Sequence, residues 1–288
     1  MHKKLVGLVV LFGLLVGGCT VLAAATEQRL ADNAELVNAA MNSTVALVER
    51  GDDGLSAPQC TAFFVGPRIL ATANHCVEIP QYQVYSLGSD LTIRLPIPDA
   101  EPTIGSEVLF ITHEVHMNFI RNYSRISEPV THRAIVVQTN PSEDVALLRL
   151  VEGEPDSVHW FSMAPALPRI GERVYEIGMP SSQFWLFTEG MISSIREFPN
   201  GRTRIIHQAH VSPGASGGPL FNNFGQAVGV TTSFVRDAHY IGFATVISEV
   251  QRLVSQPVVM LGEPTILTDH PVSSSACQNI TCSLPELE

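Results

Sequence analysis

Three short segments carry side chains whose combination can break an amide bond. That chemistry needs a nucleophile, a base to take and return its proton, a group to orient the base, and donors for the oxyanion. Pro213-Gly214-Ala215-Ser216-Gly217-Gly218-Pro219 supplies a serine inside a glycine-rich turn. Its glycines permit torsions that aim consecutive N–H groups into one small concavity. The N–H groups of Gly214 and Ser216 are therefore candidates to hold a carbonyl oxygen as it becomes negative. Upstream, Ala71-Thr72-Ala73-Asn74-His75-Cys76 ends a predicted strand with a histidine. Between the two, Asp144-Val145-Ala146-Leu147-Leu148-Arg149-Leu150 puts a carboxylate at the head of an apolar strand. Taken singly, each segment also reads more plainly, as a Gly/Pro turn, a core or surface histidine, and a cap or turn aspartate.

The elements that must position these residues are short strands. From Ser43 to about Ile247, runs rich in Val, Ile, Phe and Thr alternate with Gly, Pro, Asn and Asp. The predicted strands are Thr44–Val48, Thr61–Val65, Ile69–Thr72, Val108–Thr112, Ala134–Gln138, Val145–Leu150, Val174–Ile177, Met191–Ile195, Arg204–Gln208, Ala227–Thr232 and Ile241–Val246. Such regular spacing points to an all-β sandwich or barrel. Gly153, Pro155, Pro165 and Pro168 cluster at a break near Glu152–Pro168 that divides the strands into similar halves. Two helices flank them: Glu27–Met41, with Leu30, Ala34, Leu36, Val37, Ala40 and Met41 as its apolar positions, and Ile247–Val254. The tail 255–288 is Pro- and Ser-rich.

With Lys+Arg 17 against Asp+Glu 28 the chain carries a net charge of −11, which excludes a global basic footprint for nucleic acid. Its 45% hydrophobic and 16% charged composition excludes a disordered chain. The first residues form an address. Met1-His2-Lys3-Lys4 precedes an apolar, charge-free run from Leu5 to Ala25, the layout of an export signal. Val16-Gly17-Gly18-Cys19 resembles a bacterial lipobox, with Cys19 lipidated. Cleavage after Ala25, or retention of residues 1–25 as a membrane anchor, are the alternatives. Each places the rest of the chain outside the cytosol, facing the periplasm or exterior. Five cysteines fit that compartment. With Cys19 set aside, the others allow three connectivities, of which Cys60–Cys76 with Cys277–Cys282 is the economical one.

Considered together, the three segments resemble the motif set of the trypsin/chymotrypsin-like serine peptidases, in the order His, Asp, Ser. Thr72-Ala73-Asn74-His75-Cys76, Asp144-Val145-Ala146-Leu147-Leu148 and Gly214-Ala215-Ser216-Gly217-Gly218-Pro219 carry the resemblance. It implies that His75 is general base and acid, that Asp144 orients its imidazole, and that Ser216 is the nucleophile. The oxyanion hole would be Gly214 and Ser216, with Cys60 and Cys76 at the family's disulfide beside the histidine. The implied fold is two six-stranded antiparallel β-barrels over 43–254, about 43–152 and 168–246, after an N-terminal helical segment at 26–42. The second half is similar to the HtrA (Deg) branch, through Val211–Leu220, Gly225–Thr232 and Ile241–Ala244, but without room after Val254 for a PDZ domain. Ala215 replaces the carboxylate that pairs with a freed N-terminal amine in zymogen-activated members.

By alignment to the serine motif, His210 lies near the base of the primary pocket, with Thr231, Thr232, Ser233 and Phe234 along its wall. No acidic residue stands at His210, which argues against a preference for Lys or Arg. His210 either pairs with an acidic side chain or points into the barrel. No cofactor or metal is expected. His113 and His116, like His207 and His210, are three apart, and on a strand such residues face opposite sides. Asn122 and Asn279 head chance sequons. The expected partner is a peptide or protein substrate, with membrane contact only through the N-terminus. The rival reading is a catalytically silent or chaperone-like binding protein on the same barrels.

Overall fold

The computed structural model describes residues 34–51, 54–55, 57–78, 82–87, 91–96, 104–121, 129–153, 159–199, 201–235, 240–259 and 264–266. The signal-like segment with Cys19, the sequon residues Asn122 and Asn279, and the Cys277–Cys282 loop lie outside the described residues. No helix among the described residues is long and apolar enough to cross a membrane.

Strands Thr44–Val48, Cys60–Gly66, Ile69–Thr72, Val145–Leu150, His132–Asn140 and Glu107–Thr112 pair antiparallel in that order, and the last returns to the first. A second ring runs Gln226–Phe234, Pro219–Asn222, Arg173–Gly178, Leu186–Glu197, Thr203–His207 and Gly242–Val246, again closing on its first member. The fold is therefore all-β, two closed six-stranded antiparallel barrels. In each ring closure joins the last strand to the first, so strand pairing runs all the way round. The short strand Ser162–Met163 adds to the second ring in parallel, against Gln226 and Ala227.

Neighbouring residues of Cys60–Gly66 show why the apolar runs are continuous rather than alternating. Phe64 faces the first barrel's core, with Val45, Leu70, Phe110, Val136 and Leu148. Phe63 packs edge-on against Phe161, which in turn meets Phe221 of the second barrel. Both phenylalanines are fully buried, one in a core and the other between the barrels. Burial of each such side chain contributes roughly 1.5–3 kcal/mol. Phe161 N–H donates to the Phe64 carbonyl (2.9 Å) and Trp185 Nε1 to the Thr44 carbonyl (3.0 Å), adding polar ties across the same seam.

The Ile247–Val254 helix lies where its pattern places it, burying Ile247, Val250 and Leu253. Residues 34–42 are helical, within and just beyond the Glu27–Met41 prediction, whose earlier part lies outside the described residues. Several elements differ from expectation. His113–Arg121 is a helix, its first turn capped by Thr112 Oγ1, which accepts from Val115 N–H (3.3 Å). Pro219–Asn222 is a strand outside the predicted set, beginning at the last residue of the serine motif. Leu186–Glu197 is twelve residues long, with a bulge between Ile192 and Ser194, and so outruns the predicted Met191–Ile195.

Candidate active site

His75 sits in a single tight turn, Asn74–Cys76, directly after strand Ile69–Thr72. Asp144 ends the turn that leads into Val145–Leu150, with a left-handed φ of 54°. Because those two strands pair, Ala146 opposite Thr72, the two residues emerge side by side at one end of the first barrel. His75 N–H donates to Asp144 Oδ1 (3.0 Å), and His75 Nδ1 lies 2.9 Å from Oδ2. A carboxylate at Nδ1 fixes the proton there and leaves the Nε2 lone pair outward. The hydrogen bond to Asp144 raises the imidazole above its ordinary 6.5, outweighing burial, and the charges of Asp144 and Glu78 add to the rise. Burial pushes the Asp144 carboxyl up, but the bonds and charge of His75, with Arg204 beyond, hold it below 3.8.

The second barrel holds the Asp144 turn from behind. Thr245 Oγ1 donates to the Glu143 carbonyl (2.6 Å), and Arg204 Nη1 pairs with Glu143 Oε2 (2.6 Å). That pair is largely buried, 10% and 14% exposed, so removing one partner would strand the other's charge. Glu143, Arg204 and Thr245 lie far apart in sequence, and no local pattern marks them.

Ser216 comes from the second barrel and is bonded to the first. Its carbonyl accepts from Thr61 N–H (2.8 Å), and Cys76 Sγ lies 3.5 Å from the same oxygen. A disulfide joins Cys60 and Cys76, and a ring nitrogen of His75 lies within 4.8 Å of both sulfurs. Those sulfurs are bonded to each other, so they are not free to act as metal ligands. Ser216 Oγ donates to the Thr232 carbonyl (3.2 Å). Among the described residues no hydrogen bond joins it to His75. In the same turn Ala215, Gly217 and Gly218 donate their N–H groups to Ser212, Thr231 and Ala215. Those of Gly214 and Ser216 donate to no backbone carbonyl among the described residues. They are thus available to an oxyanion.

Residues 60–230 match the family model described as a trypsin-like peptidase domain. The chain belongs to the trypsin-like peptidase family. Among curated relatives, a probable periplasmic serine endoprotease DegP-like of Pseudomonas putida (strain GB-1) is 36% identical over 124 residues, which cover 42% of this chain and 26% of that protein. A putative serine protease HhoA of Synechocystis is 26% identical over 174 residues, 52% of this chain and 43% of that one. The chain thus spans less than half the length of either. Among solved structures, the active form of the Rv3671c protease from M. tuberculosis superposes with a TM-score of 0.56 at 20% identity, covering 85% of this chain and 89% of its own. The HtrA-type protease AlgW with tripeptide gives 0.54 at 18%, covering 76% and 61%. At such identities the structures share the fold.

In this trypsin-like domain the residues expected to line a primary pocket divide. Thr231 and Thr232 are buried, while Ser233 and His210 are exposed. Thr232 Oγ1 donates to the Phe243 carbonyl (3.3 Å). Of the two readings left open for His210, the core position is the wrong one. The core histidine is His207, fully buried, with neither ring nitrogen paired among the described residues and its pKa lowered to about 4 by burial. A Cβ on Gly242 would sit 2.6 Å from His207 Cε1, so strand Gly242–Val246 closes over the ring. The strand geometry assumed for His113 and His116 is also corrected. On the helix they share a face and lie against aromatic rings, His116 stacked on Phe184 (4.1 Å between centroids) and His113 tilted against Trp185 (5.3 Å). Glu176 went unmarked in the sequence. It is fully buried, and Oε1 would lie 2.7 Å and 2.9 Å from side chains added at Gly178 and Gly218. Burial behind the serine turn raises its carboxyl well above the ordinary 4.5, which favours the neutral acid.

Proposed function

We propose that the protein is a serine endopeptidase acting outside the cytosol through an acyl-enzyme, with His75, Asp144 and Ser216 as its triad. The observation that carries this reading is the pairing of His75 with Asp144 beside a serine turn whose Gly214 and Ser216 N–H groups lack a backbone carbonyl partner among the described residues. A peptide carbonyl enters with its oxygen toward Gly214 N–H and Ser216 N–H. Ser216 Oγ turns from the Thr232 carbonyl, a side-chain rotation that takes picoseconds to nanoseconds, and gives its proton to His75 Nε2 as it attacks. The imidazolium, held by Asp144, then protonates the leaving amine, and water repeats the sequence on the ester.

Export is supported by the signal-like start and by the word periplasmic in the names of the DegP-like relatives. Within that reading Cys19 is the lipid site, Cys277 and Cys282 close a second loop, and the substrate is a peptide or protein. Thr231, Thr232, Ser233 and His210 shape a primary pocket that does not favour Lys or Arg. The deciding test is Ser216→Ala against wild type on a peptide library read by mass spectrometry, with a fluorophosphonate probe alongside. Wild type should cleave and take the label, and the variant should lose roughly four to six orders of magnitude in kcat while keeping its fold. Undiminished cleavage by Ser216→Ala would refute the triad. An unlabelled, inert wild type would mark a binding protein on the same barrels.

A further inference from the structure

A trans amide carries its C=O and N–H on opposite sides, so anchoring one aims the other. The amide between Pro213 and Gly214 has its carbonyl anchored, since Pro213 O accepts from Ser181 N–H at 2.6 Å. That directs Gly214 N–H away from the Pro180–Ser182 turn. The next amide is anchored as well. Gly214 O accepts from Thr61 Oγ1 at 2.8 Å. With both flanking amides tied, neither φ nor ψ of Gly214 is free. The resulting φ of +100° suits glycine alone, and a Cβ there would meet Met179 O at 2.2 Å.

Thr61 holds a singular place in this arrangement. Its side chain is fully buried at the start of the first barrel's Cys60–Gly66 strand. Its hydroxyl spends its one proton on Gly214 O and accepts from Met179 N–H (3.1 Å). Its own N–H donates to Ser216 O (2.8 Å), and its carbonyl accepts from Thr72 Oγ1 (2.7 Å). One residue of the first barrel therefore grips the serine turn on both sides of Ala215, a position with no polar side chain to do so. We propose that Thr61 is a positioning residue for the oxyanion site, its hydroxyl holding the Gly214 carbonyl and with it the ψ of Gly214, so that the Pro213–Gly214 amide tied by Ser181 keeps Gly214 N–H aimed at the reacting carbonyl. The proposal rests on the peptidase reading above and extends it to how the turn is held without a carboxylate at 215.

The test compares Thr61→Val, which keeps the shape and removes the hydroxyl, with Thr61→Ser, which keeps the hydroxyl. Both are assayed beside wild type on a fluorogenic peptide carrying a sequence that wild type cleaves, with the rate of fluorophosphonate labelling as a second readout. Thr61→Val should lose about 10- to 100-fold in kcat with KM within about twofold, since only the transition state uses the oxyanion donors. Its labelling rate should fall in parallel. Thr61→Ser should keep kcat within about threefold. Thr61→Val with unchanged kcat overturns the proposal, and so does a loss that appears in KM alone. Should Thr61→Val not fold, Thr61→Ser still decides, because a tenfold loss with the hydroxyl retained would overturn it. A wild type that neither cleaves nor labels overturns the peptidase reading and this proposal with it, whereas an active wild type confines any failure to Thr61.

Discussion

At His75 the carboxylate of Asp144 and burial pull the imidazole in opposite directions, and the carboxylate prevails. To take a proton the ring must be neutral at Nε2. The kcat/KM of wild type should therefore climb with pH through an apparent pKa above 6.5, then level off. Asp144→Asn removes the charge and frees the wrong tautomer, so the limb should move down toward 6.5 and kcat should fall about 10⁴-fold. A pH–rate profile of both proteins checks this, and a limb that stays in place would mean that a different group is titrating. The same upward shift favours folding below pH 6.5 and is lost as pH rises through the raised pKa, so activity and this contribution to stability change in opposite senses. Because the His75 side chain is 42% exposed, solvent weakens the stability part.

The serine turn is the element where backbone geometry matters most. Gly217 has φ +85°, and a Cβ there would lie 2.1 Å from the Thr61 carbonyl and 2.2 Å from Thr72 Oγ1. Gly217→Ala should lower the melting temperature and cut kcat more than tenfold, since the left-handed strain alone costs about 1–3 kcal/mol and the clash adds to it. Calorimetry and the peptide assay on one preparation test that, and a variant matching wild type in both would show that the turn yields freely. The glycines were legible in the sequence because only they satisfy such torsions. The His113–Arg121 helix was less so. Its flanks are β-rich, and its His113 and His116 rings lie against Phe184 and Trp185, some seventy positions on, with His113 Nδ1 also 3.2 Å from Asn42 Oδ1.

In the whole molecule two buried groups of the second barrel set opposing pH limits on stability. His207 is held neutral to about pH 4, so its contribution is complete above 6.5 and lost as pH falls toward 4, roughly 3 kcal/mol in all. Glu176 is raised far above 4.5, so its contribution is complete below 4.5 and lost as pH rises through the raised value. Melting temperatures across pH 4–9 should fall on the acid side for wild type and less so for His207→Gln. Glu176→Gln should flatten the decline toward alkaline pH. Curves that coincide for all three proteins would mean neither group titrates differently on folding.

The amino-acid order alone settled the β-rich texture, most of the strands and the motif residues, because strand patterning, turn glycines and short-range spacing are local properties. It also made Cys60–Cys76 the economical pair. Only tertiary structure decided that Glu143 is gripped by Arg204 and Thr245, that Thr61 meets Gly214, and that His207 rather than His210 is the core histidine. Those contacts join positions that no period links. They exist because each barrel must close and the two must then pack together, which brings distant side chains together without any trace in their own neighbourhoods.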